Sequence, residues 1–170
     1  PLSPADKTAG DDALLSRFLA LPQTAKAETL LLYYGTGSEP DTACLLSPLM
    51  EAGRIVGLPR CLDKGRMEFR RYLGPQRLRP GPFGIPEPDE GCPVLSPTPQ
   101  TLLLAPALCC DRRGFRLGHG GGYYDRYLAR RPIFTVVLCR EALLLERLPT
   151  QPHDRPVNLI LTERECLSFF

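Results

Sequence analysis

The residues best equipped for chemistry lie in one unbroken stretch, 111–126, reading DRRGFRLGHGGGYYDR. Arg112, Arg113 and Arg116 carry permanent charge in a planar fork suited to phosphate or carboxylate. Gly118, Gly120, Gly121 and Gly122 follow, with His119 among them. So many glycines allow positive φ and let a ligand approach the backbone amides with no Cβ in the way. Tyr123, Tyr124 and Asp125 close the stretch, and Asp125 could hold the divalent cation that accompanies a nucleotide. The local reading is a site for a polyanion and a metal, against the plainer alternative of a tight turn flanked by solvated arginines. Two familiar templates do not fit. No Gly-Lys-Ser/Thr follows the glycines, and Tyr123 stands where G-x-G-x-x-G needs its last glycine.

Such a loop needs elements to hold it. The apolar run 101–105 reads as a buried strand before the loop, and 123–129 as a helix after it. Strand, glycine loop and helix would aim free N–H groups and a helix N-terminus at a phosphate. Ser3 and Pro4 start a first helix with an apolar stripe of Leu14, Leu15, Phe18 and Leu21, stopped by Pro22. Residues 29–34 read as a central strand. Asp41 is expected to cap a second helix, with a kink or restart at Pro48 and an end at Gly53. Further strands are expected over 54–58, 66–72, 134–139 and 157–162, with a short helical piece at 141–147. Residues 74–99 are rich in Pro and Gly without clear periodicity and read as one long loop.

This alternation predicts a single α/β domain over 1–170: a mostly parallel sheet covered by helices on both faces, Rossmann-like and three-layered. Ligands in such sheets gather at the carboxyl ends of the strands. The loops 34–41, 60–64, 106–122 and 153–156 would therefore bring Glu39, Asp41, Arg60 and Asp154 to a shared site.

A net charge of +2 with scattered Lys and Arg argues against a nucleic-acid binder, and no apolar run approaches membrane-spanning length. The seven cysteines form no C-x-x-C pair, so zinc and thioredoxin-like readings are weak, and a reducing cytosol is the expected compartment.

The sequence DRRGFRLGHGGGYYDRYL resembles the signature of the 5-formyltetrahydrofolate cyclo-ligase family, also called methenyltetrahydrofolate synthetase. The family pattern is roughly a strand ending in Pro, then D-R/K-x-G-x-R-L-G-x-G-x-G-Y-Y-D. Other similar pieces follow the family order: Glu39-Pro40-Asp41-Thr42, Leu58-Pro59-Arg60, Gly84-Ile85-Pro86-Glu87-Pro88 and His153-Asp154-x-Pro156-Val157. The resemblance implies a cytoplasmic, monomeric enzyme acting on 5-formyltetrahydrofolate with ATP as co-substrate and Mg²⁺, without nucleic-acid or membrane partners. The γ-phosphoryl would go to the formyl oxygen, and N10 would close the ring to 5,10-methenyltetrahydrofolate.

By resemblance, Arg116, Gly118, His119, Gly120 and Gly121 would hold ATP. Tyr34, Glu39, Phe83, His119, Gly120, Gly121, Gly122 and Tyr123 would face the folate. Arg116 and Tyr123 would be the catalytic pair, and Asp125 and Asp154 the Mg²⁺-associated acids. The chain departs from the pattern at Gly121, where some members carry Lys, and at Asn158, where Asp is common. It also lacks the family's N-terminal K-x-x-L-R pattern, and a short basic segment before Pro1 is the corresponding expectation. Two alternatives are a phosphosugar isomerase or CoA-transferase-like enzyme, and a folate- or nucleotide-binding module without catalysis.

Overall fold

The computed structural model describes residues 2–169. Helix α1, Pro4–Ala20, starts as its sequence requires: extended Ser3 accepts the Asp6 N–H on its hydroxyl, and Pro4 occupies the first turn. The short helix α2, Pro22–Lys26, then restarts on Pro22. Strand β1, Thr29–Leu31, leads into a 3-10 turn and helix α3, Leu46–Glu51. Strands β2, Ile55–Cys61, and β3, Met67–Arg71, follow. Next come β4, Leu78–Pro80, β5, Pro86–Pro88, β6, Val94–Leu95, and the central β7, Thr101–Ala105. Beyond it lie β8, Cys109–Asp111, β9, Arg116–Leu117, and helix α4, Tyr123–Arg130. The chain closes with β10, Phe134–Leu138, β11, Leu144–Leu145, β12, Leu159–Leu161, and β13, Cys166–Ser168.

The main sheet has the order β13-β12-β10-β7-β1-β2-β3-β6. Its five middle strands, β12 to β2, are parallel, and both flanks are antiparallel. The expected α/β sheet is therefore present as a mixed one, parallel where it is buried on both sides. Successive residues alternate between two cores. Leu30, Leu102, Leu104 and Val136 pack with Leu14, Phe18 and Leu46 from α1 and α3. Leu31, Leu103, Ala105 and Val137 pack with Tyr127 of α4 and with Cys110. That gives three layers, but the second outer layer is only partly helical. A small sheet, β11-β8-β9, shares it with α4.

Several elements differ from expectation, each for a local reason. The strand expected over 29–34 keeps ladder pairing only to Leu31. Beyond it the Tyr33 carbonyl and the Gly35 N–H bond to the Thr42 hydroxyl instead. Asp41 provides no side-chain cap, while Pro48 sits in the first turn of α3, where its missing N–H costs nothing.

Residues 74–99 are no long loop. β4 and β5 form a hairpin with Leu78 opposite Pro88 and Pro80 opposite Pro86, and β6 joins the main sheet beside β3. Prolines are tolerated on such short edge strands because no neighbour needs their N–H, and they erased the alternation a strand usually shows. Residues 141–147 form a 3-10 turn and β11 rather than a helix, since Leu144 pairs beside Cys110. β13, unexpected from sequence, covers the β12 edge.

Candidate active site

β1 lies between β7 on one side and β2 on the other, so the segments leaving β1 and β7 diverge above the sheet. A crevice at such a switch point is the favoured ligand position in α/β folds. Here it opens into a cavity of about 640 Å³. Every residue assigned by the resemblance lines it: Tyr34, Glu39, Phe83, Arg116, Gly118, His119, Gly120, Gly121, Gly122, Tyr123, Asp125 and Asp154. Asp41 and Arg60, also expected at the shared site, do not: Arg60 donates to the Pro88 carbonyl at 2.9 Å, and the Asp41 backbone N–H is held by Asp11 at 3.1 Å.

The three arginines of the 111–116 stretch separate sharply. Arg116, on β9, donates from Nη1 to the Pro106 carbonyl at 3.1 Å and from Nη2 to Asp125 Oδ1 at 3.2 Å. Its guanidinium also lies over the Tyr124 ring. Two of its five N–H donors are thus used to fix it at the cavity wall.

Arg112 and Arg113, expected to add charge for a polyanion, do not line the cavity. Arg113 binds Asp111 at 2.8 Å and the Leu148 carbonyl at 2.7 Å, and Arg112 pairs with Glu146 and Glu165. The physical reason is Asp111. It is fully buried and accepts the backbone N–H groups of Arg113, Phe115 and Leu148 at 2.9, 3.1 and 2.8 Å. Burial pushes its carboxyl up, but these donors together with the Arg113 side chain outweigh that and hold it below the usual range. Asp111 pins the β8–β9 turn and the start of the 149–154 loop. The simple strand–loop–helix expected here is therefore interrupted by a hairpin.

Beyond β9 the glycines do what other residues cannot. Gly120 has φ +91° with open space where a Cβ would stand, and Gly122 has φ +70° just before α4. This loop meets the loop after β1 through His119, whose Nε2 is 3.5 Å from Glu39 Oε2. The other Glu39 oxygen accepts the Thr36 N–H at 2.9 Å and the Thr36 hydroxyl at 3.1 Å. Phe83, 66 % exposed at the tip of the β4–β5 hairpin, meets Tyr123 edge to face at 6.1 Å between ring centres. The hairpin thus forms a wall of the cavity.

Tyr33, Tyr124, Cys61 and Glu87 also line the cavity, though no expectation from the sequence gave them a role of their own. Tyr33 and Tyr124 are hydroxyls pushed well above their ordinary range by burial, so both stay neutral donors. Cys61 is pushed up to about 11 by burial and then by neighbouring Glu87, which removes it as a nucleophile. Glu87 itself is buried and accepts the Cys61 N–H at 3.0 Å. Only its place in the Gly84–Pro88 run hinted at it.

Asp125 has a side chain 75 % exposed at the cavity rim. Asp154 accepts the Gln151 N–H at 2.7 Å, with His153 3.6 Å away. Among the described residues no group of three or more His, Cys, Asp or Glu could hold a metal by protein ligands alone. Two carboxylates on one cavity suit Mg²⁺ nonetheless, because that ion usually takes one or two carboxylates and fills its shell with water and substrate phosphate. Asn158 plays no part there: its side chain accepts the Thr135 N–H at 2.8 Å and joins the start of β12 to β10. Among the described residues no helix is long and apolar enough to cross a membrane.

The 5-formyltetrahydrofolate cyclo-ligase family model matches residues 2–163. The 5-formyltetrahydrofolate cyclo-ligase of Mycolicibacterium smegmatis is 33 % identical over 144 residues, covering 80 % of this chain and 74 % of that protein. That of Escherichia coli K12 is 28 % identical over 167 residues, covering 95 % and 92 %. The solved structure of Aquifex aeolicus 5,10-methenyltetrahydrofolate synthetase aligns with a TM-score of 0.87 at 29 % identity, covering 98 % of this chain and 84 % of that one.

Proposed function

This chain belongs to the 5-formyltetrahydrofolate cyclo-ligase family, and we propose from that premise how its own residues carry the reaction. It is an ATP-dependent enzyme that converts 5-formyltetrahydrofolate to 5,10-methenyltetrahydrofolate. Family membership retires the isomerase and CoA-transferase alternatives, and no observation favours a non-catalytic module.

A formamide carbonyl is a poor electrophile, and its oxygen is a poor leaving group. Moving the γ-phosphoryl of ATP onto that oxygen turns it into phosphate, and the N10 amine then attacks the activated carbon. ADP and inorganic phosphate leave. Catalysis of this kind is mostly positioning and charge neutralisation. Arg116 lies against the phosphoryl oxygens, with the Gly118–Gly121 amides beside it. Glu39 accepts N–H groups of the pterin on the opposite side, and Tyr34, Phe83 and Tyr123 flank the ring. Tyr33 and Tyr124, kept neutral, supply hydrogen-bond donors from the floor. Asp125 and Asp154 would hold Mg²⁺, which when bound neutralises charge on the phosphate oxygens. The enzyme works on small molecules as a cytoplasmic monomer.

The observation that carries this reading is the 3.5 Å approach of His119 to Glu39. It brings the glycine loop and the Glu39 carboxylate to one cavity, where phosphoryl donor and acceptor must meet. Calorimetry on Arg116→Ala tests it. Loss of a charge-assisted contact of about 1.5–3 kcal/mol weakens ATP by roughly one to two orders of magnitude. Folate binding stays near the wild-type value. Wild-type ATP affinity in this variant would remove Arg116 from the phosphate site.

A further inference from the structure

A buried ion cluster outside the main cavity joins three distant segments. Asp11, midway along α1, is 5 % exposed, and Arg140, two residues past β10, is 7 % exposed. Arg140 Nη2 donates to Asp11 Oδ1 at 2.7 Å and to the Ser38 carbonyl at 2.8 Å. The other oxygen, Asp11 Oδ2, accepts Lys7 Nζ at 2.6 Å and the backbone N–H of Asp41 at 3.1 Å. The backbone is thus tied at Ser38 by its carbonyl and at Asp41 by its amide. Glu39 lies between the two ties.

The close fit is specific. A Cβ at Gly10 would come within 3.1 Å of Arg140 Nη1 and 3.4 Å of Glu163 Oε1, so a side chain there would press on the guanidinium. Burial alone would push the Asp11 carboxyl up, but bonds from Lys7, Arg140 and the Asp41 amide reverse that and keep it ionised. Apolar residues of equal volume often stabilise a fold as well as a buried ion pair does. Stability therefore gives no particular reason for this arrangement, whereas control of the 38–41 backbone does.

We propose that Asp11 and Arg140 are positioning residues for the cyclo-ligase reaction, holding the 38–41 backbone so that Glu39 presents its carboxylate to the folate. The proposal rests on the reading of Glu39 as a folate contact. It assigns folate affinity partly to a pair that touches neither substrate.

The test is steady-state kinetics on Asp11→Asn, which keeps the shape and removes the charge, with Glu39→Gln and the double variant alongside. Displacement of a substrate-holding group by a remote change can cost up to about a hundredfold. A rise in KM for 5-formyltetrahydrofolate of about tenfold is expected here, with kcat and KM for ATP within about threefold of wild type. In the Glu39→Gln background Asp11→Asn adds less than about threefold, because coupled sites are not additive. Arg140→Lys, which keeps the charge, raises KM less than Arg140→Leu. Melting curves identify variants that fail to fold, and if Asp11→Asn is one, the Arg140→Leu and Glu39→Gln pair carries the same expectations. Full additivity in the double variant, or a wild-type folate KM in Asp11→Asn while Glu39→Gln is impaired, would overturn the proposal and leave the Glu39 reading standing. A wild-type folate KM in Glu39→Gln would instead remove that reading, and the proposal with it.

Discussion

Arg113 and Arg116 stand three residues apart, are the same type and looked alike in the sequence, yet one is structural and the other lines the cavity. The difference lies with their acceptors: buried Asp111 captures Arg113, while Arg116 is braced by a carbonyl and an exposed carboxylate at the rim. Two substitutions separate the ligand roles at this scale. Glu39→Gln keeps size but removes the charge proposed to accept pterin N–H groups. It should weaken folate by roughly one to two orders of magnitude and ATP hardly at all, since a hydrogen bond to a charged group is worth about 1.5–3 kcal/mol. Calorimetry with each ligand checks this, and an ATP-selective loss would reject the assignment. Asp125→Asn removes the proposed hard-cation ligand and also the ionic partner of Arg116. It should lower kcat and shift the Mg²⁺ dependence to higher concentration while the melting temperature stays near wild type. Unchanged Mg²⁺ titrations would leave Asp125 as a brace for Arg116 alone.

Among the elements, the β8–β9 turn is held by the Asp111 carboxylate. Its carboxyl is depressed in the folded state, so the stability it contributes is present above the unfolded value of about 3.9 and is lost as pH falls through the lower folded value. Melting curves for the wild type should therefore fall steeply below about pH 4, and those of Asp111→Asn less so. At neutral pH, Asp111→Ala should cost about 3–5 kcal/mol, because it strands Arg113 and three backbone donors. A loss below 1 kcal/mol would contradict this account. The buried strands were legible in the sequence, because runs such as TLLLA are apolar on both faces. The 78–88 hairpin was not. Its prolines hide the alternation, and its closure depends on Arg77 meeting Asp89 at 2.6 Å, a contact twelve residues apart with no local signal. The β8–β9 hairpin was missed because its register rests on a side chain, Asp111, that reads as part of a polar loop.

For the whole molecule, one decision of topology explains why the site forms where it does. Placing β1 between β7 and β2 opens a crevice, and the loops after β1 and β7, the β4–β5 hairpin and the 149–154 segment close around it. The residues that line the cavity were legible because most of their motifs fall at strand ends. Asp11 and Arg140 were not, because 128 residues lie between them and neither belongs to a motif. The central claim is that this cavity joins a folate to the γ-phosphoryl of ATP, and the most direct measurement is turnover of 5-formyltetrahydrofolate followed by the absorbance of the methenyl product. With ATP and Mg²⁺ present, product should accumulate with one ADP and one phosphate released per ring closed. Omission of ATP or removal of the divalent cation by a chelator should stop it. Equal product formation without ATP would contradict the account.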